Sequence, residues 1–218
     1  MVFLLKMKHI YLFSGIGADY RAFQFLDFSG FEVTHIKWIS NLPDEPIEVY
    51  ARRILDQINT ENPILIGLSF GGIMALEVAK LIATEKIIII ASVKTHHELP
   101  FYAKGYLTRL FYLCLPQKLL SYPNFLIYWL FGLRGETDKT LFDAIMRDTD
   151  PVFLKWALCR IAIWKNSNEF ETTKHIHGTA DRLFPFCFVK CDIPIKNGGH
   201  FMTVNMADEL SREIRSLL

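Results

Sequence analysis

The chain has no excess of charge of either sign: its net charge is +1 across 218 residues. That balance gives no footprint for nucleic acid or for a strongly acidic ligand. Cysteine is scarce as well. The four present, Cys114, Cys159, Cys187 and Cys191, lack metal-ligand spacing, and with no second pair beside Cys187 and Cys191 a zinc reading fails. Reduced thiols and a cytoplasmic setting are expected. Long apolar runs are missing too. The longest window, Leu110 to Leu133, is broken by Pro116, Gln117, Lys118, Pro123 and Asn124, so no transmembrane segment is expected. The opening Met1-Val2-Phe3-Leu4-Leu5-Lys6 is too short for a secretion leader and no small-residue cleavage site follows. A start at Met7 would leave a clean strand, so residues 1–6 read as a loosely held extension. There are no repeats and no low-complexity linker, and the length suits one domain, 1–218. What the sequence does have is apolar material for a large core: 51% of residues are hydrophobic and 14% aromatic.

That material is arranged in alternation. His9 to Phe13 reads as a buried strand, Tyr20 to Phe28 as a helix, Phe31 to Trp38 as a strand and Ile47 to Ile58 as a helix. Pro63 then opens the strand Ile64-Leu65-Ile66, a helix follows to Leu81, and Lys86 to Ser92 is an isoleucine-rich strand. Strands alternating with helices predict a parallel sheet covered on both faces. The alternation then stops. Residues 96–168 read as a helical insertion, aromatic in its first half and too long for a plain loop. Within it, Asp150-Pro151 is a helix-start signal. Strands at Thr173–His177 and Ile193–Ile195 and a helix from Val204 to Leu217 complete the pattern.

The stretch that carries chemistry is Gly67-Leu68-Ser69-Phe70-Gly71-Gly72. Strand, Gly-x-Ser-x-Gly, helix is the context of a nucleophile elbow, a turn sharp enough to lift Oγ clear of the sheet. A Cβ at Gly67 or Gly71 would strike the neighbouring strand and helix. A serine at neutral pH needs a base, and the base needs a group to hold it. Of the seven histidines, His200 follows the last strand in Asn197-Gly198-Gly199-His200-Phe201, at the sheet edge where the elbow lies. Asp181, in the loop after the penultimate strand, is the candidate acid. Asp192 begins a strand and so sits at the wrong edge, while Glu98, after the isoleucine-rich strand, is the better rival. An oxyanion would need two preorganised donors. The amide of Phe70 at the helix start and that of Ile16 between Gly15 and Gly17 are the candidates. Gly15-Ile16-Gly17 could instead open a dinucleotide fingerprint, but Tyr20 stands at the third glycine position and no acid ends the second strand. His175 and His177 share a strand face without a third metal ligand, and His96-His97 should point apart. Asp19 and Arg21 read as a cap and a surface charge.

With these residues in place, the chain resembles the α/β-hydrolase superfamily, in its serine-nucleophile, cap-bearing branch. The elbow, the acid loop His177-Gly178-Thr179-Ala180-Asp181 with Pro185, and Gly199-His200-Phe201 match in order and context. The resemblance covers the whole chain. It implies an α/β-hydrolase fold with a six-stranded, mainly parallel sheet, helices on both faces and a helical cap at 96–168, without the usual N-terminal hairpin. It further implies Ser69 as nucleophile, Asp181 as acid, His200 as base, and the Ile16 and Phe70 amides as oxyanion hole, with no cofactor and no metal. Ser14-Gly15 stands where many members have His-Gly. Serine at the elbow separates the chain from the dehalogenase and epoxide-hydrolase branches. The motif set names no substrate; the aromatics of the insertion suggest a small ester or thioester with an apolar acyl or aromatic group, the alternative being that these rings are the insertion's own core. The same residues would serve a lyase or acyltransferase, and a silent binding protein of this fold is the alternative outside enzymology.

Overall fold

In the isoleucine-rich strand, Ile87 and Ile89 join the apolar cluster on one face of a sheet, and Ile88 and Ile90 join the cluster on the other. This period of two, with both faces dry, is the signature of a central parallel strand. A computed structural model describes residues 7–116 and 124–218. Residues 1–6, read above as an extension, and 117–123 of the apolar window lie outside the described residues. Six strands form the sheet: β1 (His9–Phe13), β2 (Glu32–His35), β3 (Ile64–Leu68), β4 (Lys86–Ile90), β5 (Thr173–Gly178) and β6 (Ile193–Ile195). Their order is β2-β1-β3-β4-β5-β6, and all five pairings are parallel. The sheet is therefore fully, and not only mainly, parallel. Pro194, which cannot donate to a ladder, lies in the edge strand β6, where one side needs no partner.

Helices α1 (Ile47–Ile54) and α2 (Phe70–Ala79) cover one face. Every residue of α2 is buried, as a helix apolar all round should be. Its single charge, Glu77, accepts from the Trp164 indole at 2.7 Å and pairs with Lys80 at 2.6 Å. The other face is covered by the C-terminal helices and the turn of Tyr20–Phe23. That turn is a single 3-10 turn, shorter than the helix expected to Phe28. Asp19 caps it by accepting from the Arg21 amide at 2.9 Å, and chain reversal at Ser29-Gly30 follows at once. The final helix is also divided, into α7 (Met202–Asn205) and α8 (Ala207–Leu217).

Between β4 and β5 lie α3 (Tyr106–Cys114), α4 (Phe125–Phe131), α5 (Glu136–Asp148) and α6 (Pro151–Ile163). Asp150 caps α6, accepting from the Val152 amide at 2.8 Å ahead of Pro151. Phe153, Trp156 and Ile161 of α6 pack into the main core, while Leu154 joins a separate cluster with Phe142, Met146 and Phe201. Helix α6 thus belongs to both layers. The aromatic first half divides: Phe101, Tyr106 and Phe125 are exposed, whereas Tyr112 and Phe131 turn toward a cavity. His96 and His97 lie on a 3-10 turn, not a helix or strand, and their rings meet at 3.9 Å instead of diverging.

Removing the Asp150 cap should loosen α6 without altering its packing. Asp150→Ala is expected to lower stability by about 1 kcal/mol, read as a fall in the urea midpoint at constant m-value.

Candidate active site

Because every strand runs the same way, the loops after β1, β3, β5 and β6 emerge at one edge. Ser69 follows β3 with φ 54° and ψ −120°, a conformation that costs a non-glycine residue on the order of 1–3 kcal/mol. Hydrogen bonds hold it there. Its amide donates to the Ile90 carbonyl at 2.9 Å, and its own carbonyl accepts from Ser92 Oγ at 2.7 Å and from the Gly72 amide at 2.9 Å. A Cβ at Gly67 would overlap the backbone of Gly71, and one at Gly71 would overlap the carbonyl oxygens of Phe13 and Ser14. The glycines are there so that α2 can lie against β1 and β3.

The Ser69 hydroxyl is 2.8 Å from His200 Nε2, and His200 Nδ1 is 2.8 Å from Asp181 Oδ2. An ionised carboxylate only accepts, so Nδ1 carries the proton and Nε2 is left to accept from Ser69. The other oxygen of Asp181 accepts from the amides of Leu183 at 2.9 Å and Phe184 at 3.0 Å. His200 and Asp181 are buried, and the imidazole stands edge-on to Phe131 and Phe184. Their two loops are laced together: Ala180 N–H donates to the Gly198 carbonyl at 2.9 Å, and Asn197 N–H to Thr179 Oγ1 at 2.8 Å. This lacing sets the Asp181–His200 distance.

The rival acids are engaged elsewhere. Glu98 accepts from the amides of Lys94 at 2.6 Å and Lys190 at 3.0 Å, and Asp192 from the amide of His175 at 2.8 Å. No group of three metal-ligating side chains occurs among the described residues.

Ile16 lies in a loop gripped from both sides. Trp38 Nε1 donates to the Gly15 carbonyl at 3.2 Å, and Thr149 Oγ1 to the Gly17 carbonyl at 2.8 Å. Ser14, in the place of the more usual histidine, donates its hydroxyl to the Ala18 carbonyl. Gly17 has φ +65° and a Cβ there would overlap Thr149, whereas a Cβ on Gly15 would make only ordinary contacts, 3.7 Å from Ser69 Cβ. Close approach therefore explains Gly17 but not Gly15. Phe70 N–H is the first amide of α2, where intrahelical partners are lacking. Neither it nor Ile16 N–H makes a backbone bond among the described residues. Ser69 and His200 open onto a cavity of about 340 Å³ lined by Ile16, Tyr112, Phe131, Met146, Leu158 and other apolar side chains.

Sequence reasoning missed the grips of Trp38 and Thr149, which leave no local pattern, and also what His175 and His177 do. Both imidazoles are fully buried. His177 Nε2 lies 2.8 Å from the Phe184 carbonyl, which can only accept, so His177 Nδ1 accepts in turn from His175 Nε2 at 3.1 Å. His175 Nδ1 is left buried without a partner among the described residues. Burial lowers the pKa of His175 to about 3 and that of His177 below the usual imidazole value.

No family profile and no curated protein matches the chain by sequence. Solved structures do match in shape. A bromoperoxidase from Bacillus anthracis superposes with a TM-score of 0.71 at 18% identity, over 97% of this chain and 92% of that one. An esterase from Exiguobacterium antarcticum gives 0.70 at 15%, over 96% and 91%. The RedJ thioesterase of prodiginine biosynthesis in Streptomyces coelicolor gives 0.67 at 17%, over 96% and 85%. The chain has the α/β-hydrolase fold. These neighbours include a bromoperoxidase, an esterase and a thioesterase, so the fold does not select among chemistries.

Two outcomes are expected from this geometry. Gly71→Ala forces a methyl into the β1 backbone and should cost about 3 kcal/mol or more, seen as a lowered urea midpoint. The buried histidines stay neutral in the fold but take up protons in the unfolded chain below about pH 6.5. Their contribution to stability is complete above that pH and is lost as pH falls, down to about 3 for His175. Replacing His175 by Gln should make stability less steep between pH 6 and 4, by up to about 1.4 kcal/mol per pH unit, in urea titrations at each pH.

Proposed function

We propose that the chain is a serine hydrolase that cleaves a carboxylic ester or thioester with an apolar acyl group. The observation that carries this reading is the unbroken hydrogen-bond chain from Ser69 Oγ through His200 to Asp181, at 2.8 Å and 2.8 Å, facing an apolar cavity. Ser69 Oγ attacks the carbonyl carbon while its proton passes to His200 Nε2. Asp181 keeps the imidazole in the required tautomer and stabilises the imidazolium. The tetrahedral oxyanion is met by the amides of Phe70 and Ile16, fixed in place before the reaction starts. Collapse expels the alcohol or thiol, which leaves with the proton from Nε2. Water then attacks the acyl-enzyme, giving its proton to His200 Nε2, which passes it to Ser69 Oγ as the acyl–oxygen bond breaks and the carboxylic acid departs.

Residues 96–168 act in this reading as a cap. Tyr102, Tyr112, Ile127, Phe131 and Leu158 from this segment line the cavity, and such a wall suits an apolar acyl or small aromatic group. An esterase and a thioesterase among the structural neighbours agree with that substrate class. No cofactor enters any step. Among the described residues no helix is long and apolar enough to cross a membrane, and the cytoplasmic setting inferred from cysteine usage remains part of the proposal.

A fluorophosphonate probe tests the reading directly. Wild type should be labelled, and Ser69→Ala and His200→Ala should not. Folded wild type that stays unlabelled sinks the hydrolase reading. In an assay with acyl esters, Asp181→Asn should lower kcat by about ten-thousand-fold, the size expected when the imidazole loses its required tautomer.

A further inference from the structure

Beside the apolar cavity lies a second cleft of opposite character. Its volume is about 300 Å³, and Tyr128, Trp129, Arg134, Lys139 and Arg182 line it together with Ala180 and Gly199. Helix α4 is the partition: Ile127 and Phe131 border the apolar cavity, and Tyr128 and Trp129 border the cleft. Among the described residues three cations reach it and no carboxylate lines it.

The cations are available to a ligand. The Arg182 guanidinium lies 4.5 Å from the centre of the Trp129 ring and donates to the Trp129 carbonyl at 2.6 Å. The Arg134 guanidinium reaches the Asn197 carbonyl at a long 3.4 Å. Neither arginine makes an ion pair among the described residues. Lys139 does pair with Glu136 at 2.6 Å, but that carboxylate is 87% exposed, and so exposed a pair holds its ammonium only weakly. The nearby Asp143 is taken up by the Tyr128 hydroxyl at 2.9 Å. Two arginines without an ion-pair partner among the described residues, beside a lysine held only by an exposed carboxylate, leave positive charge at a concave site that a bound anion would relieve. Guanidinium forks suit phosphate, to which they can donate two parallel hydrogen bonds.

Its position ties the cleft to the reaction. Ala180 and Arg182 flank Asp181, and Gly199 precedes His200, so the loops that form its inner wall are those that hold the imidazole and the acid. We propose that this cleft is an anion subsite for the phosphate-bearing end of the leaving group. The acyl half would then lie in the apolar cavity and the alcohol or thiol half would reach the cleft past the His200 loop. The role given to the bound group rests on the hydrolase reading; the binding itself does not.

Isothermal titration with coenzyme A, a phosphorylated thiol, and with inorganic pyrophosphate separates the sources of phosphate. Coenzyme A should bind wild type and Ser69→Ala alike, and Arg182→Gln and Arg134→Gln should each weaken it ten-fold or more. In turnover, one acyl chain is compared on coenzyme A and on a small uncharged thiol. The ratio of the two kcat/KM values should fall at least ten-fold in either arginine variant. Failure of folded wild type to bind either coenzyme A or pyrophosphate, or equal binding by the arginine variants, overturns the subsite. Binding of pyrophosphate without coenzyme A overturns the leaving-group assignment. If coenzyme A binds as expected but Ser69 resists the fluorophosphonate probe, the hydrolase reading falls and the subsite stands.

Discussion

A serine held at φ 54° between a central strand and a wholly buried helix is the constraint on which the site depends. Such a conformation persists only where its surroundings over-determine it. Here the Ile90 carbonyl, Ser92 Oγ and the Gly72 amide fasten both sides of the peptide, and Gly67 and Gly71 let three backbones pass without room for a single methyl. The strain is sustained by β3 and α2, every residue of which is buried. The turn cannot relax without disturbing that packing.

Around this fixed point the fold solves a problem of buried charge. Asp181 and His200 are both shielded from water, where an unpaired ion would be costly. Each oxygen of Asp181 has a partner, two amides on one and the imidazole on the other. The neutral His177 fixes the Phe184 carbonyl, while Asp181 fixes the Phe184 amide. The peptide segment that aims the carboxylate is therefore anchored on a dry pair of histidines within the sheet. The fully partnered carboxylate rigidifies the site, while the unpartnered His175 Nδ1 at the far end of the relay is its expensive member.

Much of this was legible in the sequence because it follows from periodicity and local backbone chemistry. Six strands, their alternation with helices, the cap at Asp150 and the glycines of the elbow are all written in adjacent residues. Ser69, Asp181 and His200 could be paired because parallel strands send their following loops to one edge. What escaped notice depends on contacts between distant segments. The grip of Trp38 on Gly15 and of Thr149 on Gly17 joins residues with no shared pattern. The helix expected over Tyr20–Phe28 ends after one turn because the chain must reverse at Gly30, a tertiary demand that apolar spacing cannot register. The same holds for His96 and His97, whose rings meet because a 3-10 turn replaces the helix or strand assumed for them.

The Thr149 hydroxyl sits between the carbonyls of Gly17 and Ile145, sharing one proton between them. It stands at the junction of two helices that wall the apolar cavity, yet it fastens the loop that carries the Ile16 amide. The wall and the loop are thus parts of one frame. In a redesign of this scaffold, a new wall transplanted from a relative would bring with it a new anchor for the loop, or none. Selectivity and rate would then change together, and a donor for the Gly17 carbonyl would have to be restored before the effect of the new wall could be read on its own.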